Sequence, residues 1–339
     1  MFKRFAQVLP LSWLIVLSWL IVASALSGNV ADAAPPKPEA DNYSAWRAAA
    51  ARTLEARGDA RSLATAAALT FVGPPTRSKA ETARAAAAAL DIAVKASELE
   101  PNDPATAWLR LKLCSDAPFC DIRDAATTLR WVDADNGAAW LPTLAGAQRD
   151  KDTVQVDRVL ADMAEGTRFD LYGNRTAVMM FDALKRIGAH LPANYLKSDL
   201  TRLTEAMDIA GTAVIPTFSP IINACREAAT TERREACLTL SKTMQKADAV
   251  IAQLVGFAIE KRLTPADSKE TRLIAERRRL LEWRAASANV SDTPLLPWLR
   301  NARARSRLAK MRAMPREEDV CIALLKEHGM PLDPPEERR

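Results

Sequence analysis

The sequence predicts an all-α protein. Three observations carry that expectation. Alanine, leucine, arginine and glutamate dominate the chain, glycine is scarce with 11 in 339 residues, and strand-favouring β-branched and aromatic runs are rare. The dominant residues lose little side-chain freedom on entering a helix. Hydrophobic residues make up 48% of the chain, enough to bury a real core, which a disordered polar chain cannot do.

Residues 1–33 read as an export signal. Lys3 and Arg4 give a basic start, an apolar run extends from about Leu11 to Leu26, and Ala31-Asp32-Ala33 offers small residues before a cleavage point. The alternative is an uncleaved inner-membrane anchor, for which the run is short of a comfortable span. Either way the rest of the chain is expected outside the cytoplasm, in the periplasm. Residues 34–40, with Pro35, Pro36 and Pro38, form a stiff linker.

The helices follow in order. Asp41-Asn42 offers a cap for a helix with Trp46 and Leu54 that ends at Gly58. Asp59 caps the next, through Leu63, Ala66, Ala67 and Thr70, and Gly73-Pro74-Pro75 breaks the chain. Ser78 opens a third, whose apolar stripe is Ala85, Ala89, Ile92, Ala96 and Leu99, stopped by Pro101. Asp103-Pro104 restarts the chain towards Trp108, Leu111 and Leu113. Asp121 caps a helix through Ala125, Leu129 and Val132. Asp135-Asn136 opens one with Trp140 and Leu144, in which Pro142 demands a kink or a late start. Beyond Asp150-Lys151-Asp152, a stripe of Val156, Val159, Leu160 and Met163 marks another helix. Short helices with short connections make antiparallel hairpins.

Five cysteines suit an oxidising compartment. The pairs proposed are Cys114–Cys120, across a helix–helix turn, and Cys225–Cys237, on facing walls of a hairpin whose second helix Thr230-Thr231 caps; other pairings stay open. Cys321 is left over and is expected to be a buried helix residue.

Leu99-Glu100-Pro101-Asn102-Asp103-Pro104-Ala105-Thr106-Ala107-Trp108 resembles the join between two tetratricopeptide-type repeats, where a proline ends one unit and an aromatic opens the next. Val132-Asp133-Ala134-Asp135-Asn136-Gly137-Ala138-Ala139-Trp140 is a second copy. Trp108 and Trp140 lie 32 apart, against about 34 in that family. The resemblance covers residues 43–165. It implies a solenoid of helical hairpins with a concave face for peptides; the other form considered is an irregular helical bundle.

Residues 41–190 are therefore expected as a hairpin domain and residues 191–330 as a second helical domain. In the latter, one helix is expected from about Thr231 to Arg262, with Ala236, Leu240, Met244, Ala247, Ile251, Leu254 and Ala258 in a stripe. Residues 271–312 are basic, with eleven Lys or Arg against three Asp or Glu, a net of +8. Arg277, Arg278, Arg279, Arg303, Arg305, Arg307, Lys310 and Arg312 are the candidate surface-binding residues there, towards anionic lipid or cell-wall polymer. A solvated helix face is the plainer reading of the same residues.

No catalytic residue, metal site or cofactor is expected. The chain has two histidines, His190 and His328, each shortly before a proline where a helix ends. It holds no phosphate-binding glycine loop, nucleophile elbow, zinc or calcium motif. The leading expectation is a non-enzymatic protein-interaction or scaffold role with a protein partner and no nucleic acid. An envelope protein that binds anionic surfaces is second, and a cell-wall hydrolase with one catalytic glutamate is third.

Overall fold

Fifteen α-helices and one 3-10 turn make up the computed structural model, which describes residues 40–73, 77–187, 198–226, 230–291 and 297–335; no strand occurs among them. The expected export signal, most of the linker, and His190 lie outside the described residues. The helices are α1 (Ala40–Arg57), α2 (Ala60–Phe71), α3 (Lys79–Leu99), α4 (Pro104–Asp116), α5 (Ile122–Val132), α6 (Leu141–Arg149), α7 (Thr153–Glu165) and α8 (Gly173–Ile187). They continue as α9 (Asp199–Val214), α10 (Ser219–Arg226), α11 (Thr231–Met244), α12 (Val250–Leu263), α13 (Lys269–Ser291), α14 (Pro297–Ala313) and α15 (Glu317–Glu327). None of the described helices is long and apolar enough to cross a membrane.

Local chemistry sets most of the helix starts. The Asp59 carboxylate accepts from Ser62 N, Asp103 from Thr106 N, Asp121 from Arg123 N and Asp124 N, and Asp152 from Gln155 N. Each satisfies donors that the first helical turn leaves unpaired. Ser78 and Glu81 form a reciprocal capping box. Gly58 ends α1 at φ 73°, a conformation that costs glycine nothing. Pro142 sits in the first turn of α6, which starts late, after a 3-10 turn over Gly137–Trp140. Trp108, Leu111, Leu113, Leu129, Leu144, Val159, Leu160 and Met163 are buried as their spacing requires.

Several expectations need correction. Helix α1 begins at Ala40, so Asp41 and Asn42 lie in its first turn and do not cap it. Leu99 is 56% exposed; the stripe of α3 ends at Ala96, because Leu99 is the last residue before the chain turns at Pro101. The single helix expected over 231–262 is two helices, α11 and α12, folded against each other. In consequence Ala258 faces solvent, Ile251 and Leu254 are only half-buried, and the core of α12 is instead Val250, Ala252, Val255, Phe257 and Ile259.

Helices α2 to α7 stack mainly on their neighbours in sequence. Further contacts close the stack: α7 packs on α11, α8 on α2, and α9 on both α2 and α4. In a regular solenoid each unit touches only its neighbours, so the packing here is closer to the irregular bundle. Residues Ser44–Arg339 form one compact unit, and helices on both sides of residue 190 belong to it. Trp108 Nε1 donates to Val214 O at 2.9 Å, and Gln148 Nε2 to Pro220 O at 2.8 Å, across that expected boundary. In the C-terminal third, α13 packs on α12 and α15, while α14 packs on α8, α9 and α15.

The turn between α11 and α12 allows a close approach. A Cβ on Gly256 would lie 2.7 Å from Ser241 O and 2.9 Å from Met244 Cβ. Gly256→Ala is expected to lower stability by about 1–3 kcal/mol, the cost of overpacking, despite the better helix propensity of alanine. Urea unfolding checks this, and an unchanged midpoint would refute the close contact.

Candidate functional site

The cysteines behave as the sequence requires. Cys114–Cys120 and Cys225–Cys237 are disulfides, with Cα atoms 5.3 Å and 5.6 Å apart. Thr230 caps α11 through Arg233 N, which sets Cys237 against Cys225 of α10. Cys321 is buried in α15, outside both bridges. His328 is the C-terminal cap of α15, its N–H on Leu324 O. Among the described residues no group of His, Cys, Asp and Glu is placed to hold a metal ion.

The basic stretch is largely tied into the fold. Arg277 lies 3.6 Å from Glu260, Arg278 2.8 Å from Glu282 and Arg305 3.5 Å from Asp199, while Lys310 pairs with Glu327 and Arg312 with Asp182. Arg307 is not a surface residue. It is 7% exposed and donates to Ala288 O and to Asn289 Oδ1 at 3.1 Å, because α14 turns this side of the stretch inward. Arg279 is exposed and Arg303 half-buried; neither forms an ion pair among the described residues. Trp283, within the same stretch, is half-buried, with its Nε1 on Pro331 O.

A buried polar node joins distant segments. Asn136 Nδ2 donates to Asp170 O and to Tyr172 Oη, and Asp170 N donates back to Asn136 Oδ1. Asp133 takes the Tyr172 hydroxyl and pairs with Arg168. Tyr172 holds φ 57°, and Leu171 N and Tyr172 N donate to the two oxygens of Asp248 at 2.8 and 2.6 Å. Asp248 O accepts from Glu317 N at 2.7 Å, and the Glu317 carboxylate accepts from Val250 N at 2.9 Å. One aspartate therefore serves the N-terminal end of α8, and one glutamate that of α12, each from far away in sequence.

No acid stands out in the sequence as having an apolar setting. The fold supplies two. Asp248 and Glu317 line a cavity of about 110 Å³ whose other walls include Leu171, Met207, Val214 and Met311. Burial pushes the Asp248 carboxyl up to about 7, against the pull of its two backbone donors, and Asp170 and Glu317 add to the rise. Burial also raises Glu317, and it raises Tyr172 together with the bond to Asp133. A raised carboxylic acid can do general acid chemistry. Here both carboxylates are engaged by backbone N–H groups as structural ties.

Two other features went unnoticed in the sequence. Phe119, in the loop before α5, and Trp131, in its last turn, are 106% and 86% exposed. A cleft of about 620 Å³ lies among α11, the turn after it, α12, α13 and the start of α15, with Lys242, Lys246, Phe257, Arg277 and Leu280 on its walls. That size suits a small-molecule site.

Asp248→Ala leaves two buried N–H groups unpaired, each worth about 1–3 kcal/mol, and is expected to lower stability by several kcal/mol in urea unfolding. The pH dependence has a definite sign. Between about pH 4 and 7 the folded carboxyl of Asp248 keeps a proton that the unfolded chain has lost, so its contribution to stability falls as pH rises through that window. Asp248→Asn removes this slope, and a variant with the wild-type slope would show that Asp248 is ordinary. In comparisons with known proteins, no family model, curated protein or solved structure matches this chain.

Proposed function

We propose that this protein is a non-enzymatic interaction module of an oxidising, extracytoplasmic compartment, with an irregular stack of helical hairpins, similar at its joins to tetratricopeptide repeats, as its recognition half. The full exposure of Phe119 and Trp131 is the observation that carries this reading most. Large aromatics left in water forgo the burial that stabilises a fold, and such residues are enriched among the anchors of protein interfaces. On α5 Arg123, Thr127 and Trp131 step by four and are all exposed, which makes one ridge along the helix, and Phe119 stands exposed in the loop just before it.

The ridge is held rigidly. The Cys114–Cys120 bridge closes the loop that carries Phe119, and Phe119 sits at φ 63°, a conformation that side chains other than glycine rarely adopt. A prefixed aromatic loses little freedom on binding. The two disulfides support the oxidising compartment. Internal pairing of the basic stretch leaves less free charge for an anionic membrane or wall surface.

Phe119→Ser with Trp131→Ser is the test, because both side chains are exposed and the fold should tolerate their loss. Capture from cross-linked envelope extract is expected to retain a defined protein at high salt with the wild type and to lose it with the variant, at an unchanged unfolding midpoint. Equal capture by both, or capture only of salt-released lipid and wall material, would overturn the reading.

A further inference from the structure

We propose that the cleft among α11, α12 and α13 binds a short organic dicarboxylate, one carboxylate on Lys242 and the other on Lys246. The cleft shares no residue with the α5 ridge and stands whatever binds there.

Charge is the first support. Four cations line the cleft, Lys242 of α11, Lys246 of the turn that follows it, and Arg277 and Arg284 of α13, against two carboxylates, Glu260 and Glu318. The carboxylates are already taken. Glu260 accepts from Gln245 Nε2 at 2.7 Å and lies 3.6 Å from Arg277, and Glu318 pairs with Arg284 at 2.9 Å and Arg316 at 3.0 Å. Neither Lys242 nor Lys246 has an ion pair or hydrogen bond among the described residues, and both are exposed. Like charges on one wall of a cleft repel each other. The carbonyl end of α11 offsets only about half a charge. The cleft keeps an excess of more than one positive charge.

Shape is the second. Gln245 keeps helical dihedrals, φ −65° and ψ −13°, and Lys246 N donates to Thr243 O, so the turn carries the chain on from α11 to Lys246. Side chains four apart in helical geometry have Cβ atoms about 5–6 Å apart, which the five-carbon chain of glutarate matches. Between the two walls, Phe257 and Leu280 offer apolar surface for its methylenes. Arg277 lies over the Phe257 ring, 5.7 Å from its centre, and with Glu260 is held as a fixed wall. The same pair of carboxylates occurs in a free dicarboxylate and in an acidic peptide.

Calorimetric titration of the full chain at low, matched ionic strength decides the matter. Glutarate is expected to bind saturably, at least about tenfold tighter than butyrate, since a second charge is engaged, and glutaramide not at all. Lys242→Gln with Lys246→Gln is expected to abolish binding. Leu280→Trp, which fills the cleft and keeps both lysines, is expected to weaken it at least about tenfold. A capped Glu-Ala-Glu peptide that binds tighter than glutarate assigns the cleft to a protein segment; the reverse assigns it to a free molecule. Equal binding of glutarate and butyrate, or binding unchanged in either variant, would overturn the proposal.

Discussion

The carboxylate of Asp248 is the tie on which the C-terminal half depends. Its two oxygens hold Leu171 N and Tyr172 N, and its own carbonyl holds Glu317 N. That places the start of α8, the α11–α12 turn and the start of α15 against one another at a single buried point. The arrangement works because helix starts expose donors that nothing in the helix can satisfy. A buried carboxylate is an efficient acceptor for them, at the cost of its own desolvation. The raised proton affinity of Asp248 is the visible sign of that cost.

Tyr172 and Asn136 extend the tie into the N-terminal half. Segment 168–172 runs beside Asn136 as a single parallel bridge, with Gly137 N on Arg168 O and Arg168 N on Asp135 O. Trp108 stands over Tyr172, ring centres 6.4 Å apart, and reaches Val214 at the end of α9. The hairpin stack and the later helices thus share one polar seam set within an apolar core. This is why the chain from Ser44 onward packs as one unit.

What the sequence makes legible is what is local. Caps at Asp59, Ser78, Asp103, Asp121, Asp152 and Thr230 involve partners within three residues, and each marks a true helix start. Both disulfides join close neighbours. What was hidden is what is distant. The break between Met244 and Val250 interrupts a good helical stripe, and its cause lies 76 and 77 residues away, at Tyr172 and Leu171. Asp248 therefore looks like any helical aspartate until the fold is seen. Arg307 is hidden for the same reason: its partners are Ala288 and Asn289 on the preceding helix. The exposure of Trp131 had no sequence signal, because apolar spacing marks candidates for a core and cannot say which of them the core leaves out.

Both cross-links are short-range, spanning 6 and 12 residues. No covalent bridge connects the stretch before Cys120 with the stretch after Cys225. A single protease cut between them would yield two separate polypeptides held together by non-covalent contacts alone; for a cut between α8 and α9 these include the polar seam, the Trp108–Val214 and Gln148–Pro220 hydrogen bonds and the packing of α9 on α2 and α4 and of α7 on α11. The molecule is in this sense two fragments that complement each other, and its lifetime among proteases rests on how seldom that non-covalent join opens.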